Sequence, residues 1–159
     1  MRFTIILAFL IIFYAVQPSA FSQSDEVYYR PSTISAFINA TRSAENGDFT
    51  YSIKVLGAEA KVIYLGEIRP IEGGKRKLID GYFVAINRRE LASLFKHELL
   101  VGEGENQYWL PIEERLINRF RVEIKSNSQV LLAFSWLGTV KTQSGREWVL
   151  AVRRFKKAT

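Results

Sequence analysis

The sequence predicts a mainly β fold of the α+β class, namely a small antiparallel β-barrel or strongly curved sheet with two short helices. Apolar and polar residues alternate with a period of two after residue 48 and again in the last third of the chain, as in half-buried strands. Turn signals such as Asn46-Gly47 and the run 142–145 separate these stretches. The 159 residues include no cysteine, so packing must hold the fold together, and 11 Phe, 7 Tyr and 3 Trp supply volume for a core.

The first 22 residues predict a cleavable signal peptide for export. Arg2 precedes an uncharged, mainly apolar run over 3–16 that is shorter than the about 20 residues of a membrane-spanning helix. Small residues at positions −3 and −1 place cleavage after Ser22, with cleavage after Ala20 as the second choice. Lipid attachment would need a cysteine, which the sequence lacks. We therefore expect an exported protein, periplasmic or secreted, with no transmembrane anchor in the mature chain.

The mature chain has the size of one domain. Removing residues 1–22 leaves 137 residues, in which a linker over 23–31 precedes a single β-rich domain over 32–159. The mature chain carries 21 basic and 16 acidic residues, because Arg2 is the only charged residue removed, so its net charge is +5. A balance of this size favours anionic partners only weakly.

The first elements of the domain are a helix and two strands. Ser32 or Thr33 can cap a short amphipathic helix, since apolar residues follow them at helical spacing. Period-two alternation then predicts strands over 48–55 and 60–69, which are interrupted at Gly57.

The middle of the domain predicts a third strand and a second helix. A turn over 72–75 leads to a strand over 77–86, whose apolar residues at its end indicate burial on both faces. Asn87 and Glu90 have the spacing of a capping box. The helix that they open carries an apolar face of Leu91, Leu94 and Phe95.

The last third predicts an antiparallel meander. An extended aromatic segment over 108–111 and a short helix from Pro111 precede strands over 119–125, 129–140 and 146–155. A helix between the third and fourth strands is also found in oligonucleotide/oligosaccharide-binding (OB) barrels, so the predicted fold resembles that class. The resemblance concerns the fold alone and assigns no function.

Catalytic and cofactor-binding motifs are absent from the sequence. His97 is the single histidine, and it lies near the end of a predicted helix, where a cation suits the helix dipole. No serine stands in a Gly-x-Ser-x-Gly motif, no glycine loop has the P-loop pattern, and thiolate zinc sites are excluded. We expect no cofactor and no metal, and the pattern favours a non-enzyme while leaving enzymatic activity open.

Carboxylates provide the enzymatic alternative, a small hydrolase acting on envelope glycans. Such an enzyme needs two carboxylates, or one carboxylate with His97, at a shared cleft. The candidates are Glu103, Glu105, Glu113 and Glu114.

Aromatic and basic residues in the C-terminal half form the main candidate ligand-binding site. Aromatic rings beside a basic face can stack on sugars or bases while the cations hold anionic groups. The competing interpretation places the tryptophans in the core and the arginines in solvent. The candidate residues are Tyr108, Trp109, Arg119, Arg121 and Trp136.

The leading functional expectation is a non-enzymatic binding or accessory domain of the cell envelope or exterior. Its partner would be an anionic glycan, a lipid headgroup or an envelope protein, since nucleic acid is a poor partner for an exported protein. A structural subunit of an envelope complex is a further alternative, with the final strand, over 148–155, as its pairing edge.

Overall fold

The computed structural model describes residues 29–41 and 47–158. The predicted signal peptide, its cleavage at Ser22 or Ala20, and most of the predicted linker lie outside the described residues. Within the described part of the chain, no helix is both long enough and apolar enough to cross a membrane.

The described chain contains six strands, three α-helices and one 3₁₀ helix. The strands are β1 (Arg30–Pro31), β2 (Phe49–Pro70), β3 (His97–Glu103), β4 (Asn106–Ile112), β5 (Gln129–Thr142) and β6 (Gly145–Lys157). The helices are α1 (Ile34–Thr41), α2 (Gly73–Ala85), α3 (Glu114–Glu123) and the 3₁₀ helix Arg89–Leu94.

Five of the strands close into a barrel, which confirms the predicted fold class. The strands follow the order β2-β3-β4-β6-β5, and β5 pairs back with β2 to complete the closure. All of these pairs are antiparallel except β4 and β6, which meet in parallel at Ile112 and Val152. The short β1 lies outside the barrel, in parallel with β2. Helix α3 connects the third and fourth barrel strands, a position that the sequence assigned to the helix opened by Asn87. In the structure that segment lies between the first and second barrel strands.

The prediction of two strands before residue 70 was wrong, because both belong to the 22-residue strand β2. Gly57 does not interrupt the strand; it pairs with Ser135 of β5. The strand instead changes register at two irregularities, one between Tyr51 and Leu56 and one between Tyr64 and Ile68. Irregularities of this kind bend a strand, so one long strand can pair with both β3 and β5.

The predicted strand over 77–86 is also wrong, because these residues belong mainly to α2. Its buried residues, Leu78, Ile79, Tyr82 and Phe83, recur at helical spacing, whereas Val84 is 52% exposed. A short apolar run fits a buried strand and a buried helix equally well. The helix predicted after Asn87 forms as the 3₁₀ helix, but the predicted capping box is wrong, because Arg88 is the N-cap residue and makes no side-chain capping hydrogen bond.

The prediction of a strand over 119–125 was also wrong, because most of these residues belong to α3, which extends through Glu123. Leu116, Ile117 and Phe120 are buried on one face of this helix, while Val122 is 83% exposed. A strand would have placed Phe120 and Val122 on the same face.

Two apolar clusters lie on opposite faces of β5 and β6. The inner cluster fills the barrel, and α3 contributes Phe120 to it while α1 contributes Ile34. The outer cluster packs α2 and the 3₁₀ helix onto the barrel wall. Burial in the outer cluster raises the pKa of the Tyr82 hydroxyl, and nearby Arg153 opposes this shift. The packing contacts of the outer cluster hold α2 against the barrel.

Candidate functional site

An open cleft lies between β4 and the start of β6, and we call it the aromatic cleft. Its volume is about 560 Å³, and the aromatic residues that line it are Tyr108 and Trp109 of β4 and Trp148 of β6. All three side chains are partly exposed. The remaining lining residues are Ile38, Gln107, Leu110, Thr142, Ser144, Arg146, Glu147 and Leu150.

Residues from two other elements contact Trp109, one at its ring and one at its backbone. The Arg69 guanidinium, at the end of β2, lies 3.7 Å from the centroid of the ring. The Lys75 ammonium group, from the first turn of α2, donates to the Trp109 carbonyl at 3.0 Å. A cation stacked on an indole is stabilising, so the ring has a defined orientation before any ligand arrives.

Helix α1 holds the other two rings. The Trp148 indole Nε1 donates to the Thr41 hydroxyl at 3.2 Å, and the Tyr108 hydroxyl lies 2.8 Å from the Ser35 hydroxyl. Ile38 of the same helix lines the cleft. Helix α1 therefore contributes Ile38 to the lining of the aromatic cleft and orients two of its aromatic residues.

Glu103, at the end of β3, fastens α1 to the barrel. Its carboxylate accepts hydrogen bonds from the Ile34 and Ser35 amides at 2.6 and 2.9 Å, and from the Ser35 hydroxyl at 2.8 Å. The first amides of a helix have no partners within the helix and attract negative charge. Glu103 supplies both the acceptor and the charge from a distant part of the sequence.

A second cleft of about 650 Å³ adjoins the first and shares Thr142 and Glu147 with it. Lys75 and Glu98, both in its wall, are only 6% and 2% exposed. The Lys75 ammonium group lies 2.5 Å from Glu98 and 2.7 Å from Glu147, and Arg69 lies 2.7 Å from Glu98. We call these four residues the ionic network.

The structure brings only part of the predicted ligand-binding site together. Tyr108 and Trp109 line the aromatic cleft, whereas neither Arg119 nor Arg121 does. Both arginines lie on α3, where Arg119 stacks 4.4 Å from the Phe155 ring. Trp136 is 8% exposed, and its Nε1 donates to the Gly138 carbonyl within the barrel.

The carboxylates of the hydrolase alternative do not share a cleft. Glu103 caps α1, Glu105 is exposed in the β3–β4 turn, and Glu113 is held by Arg115 and Arg153. Of the candidate catalytic residues, His97 and Glu114 do lie together, with 3.2 Å between Nδ1 of His97 and Oε2 of Glu114.

The length of β3 separates Glu103 from that pair. His97 and Glu103 begin and end this strand of seven residues, which places them about 20 Å apart at the usual rise of a strand. Among the residues that the structure describes, no cluster of three acidic or histidine side chains could hold a metal ion.

Sequence reasoning missed the ionic network and the role of Arg69. Lys75 belongs to a basic, glycine-containing run that is typical of a solvated turn, and Glu98 follows His97 in no recognisable motif. The proximity of Trp148 and Arg146 in sequence was the one available signal for this end of the cleft.

No family model and no curated protein matches this chain. A small β-barrel can serve many functions, so its fold alone does not identify a ligand. The residues of the aromatic cleft are the basis for a functional proposal.

Proposed function

We propose that the protein is an exported, non-enzymatic binding domain of the cell envelope or exterior, and that it holds a glycan in the aromatic cleft. One observation carries this proposal: three aromatic residues of β4 and β6 line one open cleft. The apolar face of a sugar packs on an aromatic ring, while polar groups around the ring bind the sugar hydroxyls. Gln107, Ser144 and Thr142 supply such groups here.

The position of the cleft supports the same ligand class. It lies on β4 beside the β5–β6 turn, with α2 of the β2–β3 connection nearby. OB barrels bind oligosaccharides and oligonucleotides on the face of their second and third strands and on these two loops. This support is an analogy between folds, and export would make the oligosaccharide the relevant ligand.

The fixed orientation of the rings also supports binding. Arg69 holds Trp109, and Thr41 holds Trp148, so neither indole needs much further ordering when a ligand binds. Preorganised side chains lose less conformational entropy on binding, which improves affinity. The cleft volume of about 560 Å³ also falls within the usual range of small-ligand sites.

The test is a calorimetric titration of the full-chain protein with a panel of soluble oligosaccharides. We expect Trp148→Ala to weaken binding by about tenfold, because one stacking surface is lost. Trp136→Phe is the matched control, since Trp136 lies in the barrel interior and lines neither cleft, and it should bind as wild type does.

Two outcomes would contradict the glycan proposal. The first is oligosaccharide binding that Trp148→Ala leaves unchanged, because the ligand would then bind outside the aromatic cleft. The second is binding to anionic lipid vesicles or to an envelope protein without binding to any oligosaccharide of the panel. The second outcome would favour a lipid headgroup or a protein partner.

A further inference from the structure

The charges that line the aromatic cleft are balanced. Its wall carries one cation, Arg146, and one carboxylate, Glu147. The Glu147 side chain is 39% exposed while its carboxylate pairs with Lys75 at 2.7 Å. An anion that entered the cleft would therefore meet a carboxylate as well as a cation.

The cations behind the cleft are held by a buried carboxylate. The Glu98 side chain is 3% exposed, and it binds both Lys75 and Arg69. Turning either cation toward a ligand would leave Glu98 with fewer partners in a region of low dielectric constant. Removing one partner from a buried charge is strongly unfavourable, so these two cations are poorly available to an anionic ligand.

Arg146 is held at the rim of the cleft. Its guanidinium donates to the Gly47 carbonyl at 2.7 Å and lies 3.5 Å from the Thr139 hydroxyl. An anion would have to compete with these contacts, whereas a sugar hydroxyl can bind beside them.

The uncharged polar groups of the cleft suit hydroxyls better than anions. Gln107 and Ser144 are exposed there, and each can both donate and accept a hydrogen bond. A sugar hydroxyl also donates and accepts, so it can use both capacities. A sulfate or carboxylate group only accepts.

We propose that the aromatic cleft selects uncharged sugars over anionic glycans. This inference rests on the proposed function and narrows its ligand class. Because Glu147 is already paired with Lys75 and Arg146 already donates to the Gly47 carbonyl, stacking on the aromatic residues supplies the affinity, and stacking depends little on ionic strength.

The experiment uses sugar probes that differ in charge on the same backbone. Suitable pairs are dextran with dextran sulfate, cellohexaose with its carboxymethyl derivative, and methyl-esterified with free oligogalacturonides. Calorimetry of the full-chain protein at about 50 and about 500 mM NaCl would measure affinity and its dependence on screening. We expect the neutral member of at least one pair to bind about tenfold more tightly than its charged partner, with less than about a twofold change with salt.

Charged members that bind as tightly as the neutral ones would overturn this inference and leave the glycan proposal standing. Loss of about tenfold in neutral-sugar affinity at the higher salt concentration would overturn it as well. If no member of any pair binds, the glycan proposal itself is contradicted.

A charge substitution in the cleft gives an independent test. Glu147→Gln removes the carboxylate that lines the aromatic cleft and leaves Lys75 paired with Glu98, so we expect the affinity for dextran sulfate to rise by about fivefold. Glu105→Gln is the matched control, because it makes the same change in net charge at an exposed residue of the β3–β4 turn that lines neither cleft. Equal gains in the two variants would show that net charge alone sets the affinity for dextran sulfate. That result would contradict the inference that the cleft selects uncharged sugars.

Discussion

Lys75 has a sequence context that favours solvent exposure and a structural context that buries it. It follows Gly73-Gly74, yet it is only 6% exposed because the first turn of α2 lies against the ends of β3 and β6. We expect Lys75→Met to lower the free energy of unfolding by about 3 kcal/mol, since Glu98 would remain buried with Arg69 as its only cationic partner. Urea denaturation followed by tryptophan fluorescence measures this loss.

A double variant separates the charge effect from packing. Lys75→Met with Glu98→Leu removes both buried charges, so it should be more stable than Lys75→Met alone. Glu123→Gln is the surface control, because Arg119 and Glu123 are 54% and 45% exposed, and it should cost less than about 1 kcal/mol. A double variant that loses the sum of the two single effects would mean that the buried pair is not coupled.

At the scale of elements, strands with one polar face were predictable and apolar helices were not. β5 and β6 agree closely with the predicted strands, because their turn and their alternation are local signals. Residues 77–86 contain enough apolar side chains for a strand buried on both faces, and only packing on the outer side of β5 and β6 determines that they form α2. Helical spacing at Leu116, Ile117 and Phe120 was the available signal for α3.

The candidate site was likewise predictable only where its residues are neighbours in the sequence. Tyr108 and Trp109 belong to one extended segment, so the sequence identifies them together. The parallel contact of β4 with β6 brings Trp148 close to them. The pairing of β2 with β3 brings Arg69 close to Trp109. These contacts connect residues that are about 40 positions apart, and no local pattern specifies them.

Closure of the barrel depends on Gly138, where β5 passes close to β2. Gly138 has φ +152°, and a Cβ atom there would lie 2.0 Å from the Thr50 carbonyl oxygen. We expect Gly138→Ala to cost about 3 kcal/mol or more, because the backbones of the two strands would have to separate. Thermal and urea denaturation measure the loss.

Gly145 provides the matched control for that substitution. It has φ +134°, and a Cβ atom added there would have no neighbour within 4 Å, so Gly145→Ala should cost about 1 kcal/mol from backbone strain alone. Equal losses in the two variants would show that strain, and not the contact between β2 and β5, accounts for the effect at Gly138.

At the scale of the whole molecule, α1 lies outside the barrel and is tied to it at a few points. It contributes Ile34 to the inner cluster and places Phe37 edge-to-face on Phe134. Its amino-terminal end is fixed by the Glu103 carboxylate, and its other end by the contact of Thr41 with Trp148. By contrast, β5 and β6 are buried by both apolar clusters. Local opening of α1 should therefore need less free energy than global unfolding.

Glu103→Ala tests whether α1 opens independently of the barrel. Loss of the carboxylate removes the acceptor for two helix amides, which costs about 1 kcal/mol or more and should speed amide exchange in α1 by about tenfold. Exchange in β5 and β6 should be unaffected if α1 opens on its own, and Glu105→Ala, in the adjacent turn, should leave both regions unchanged. Equally faster exchange in α1 and β5 would mean that α1 opens only when the barrel unfolds. In that case α1, with the lining that it contributes to the aromatic cleft, would be as stable as the barrel itself.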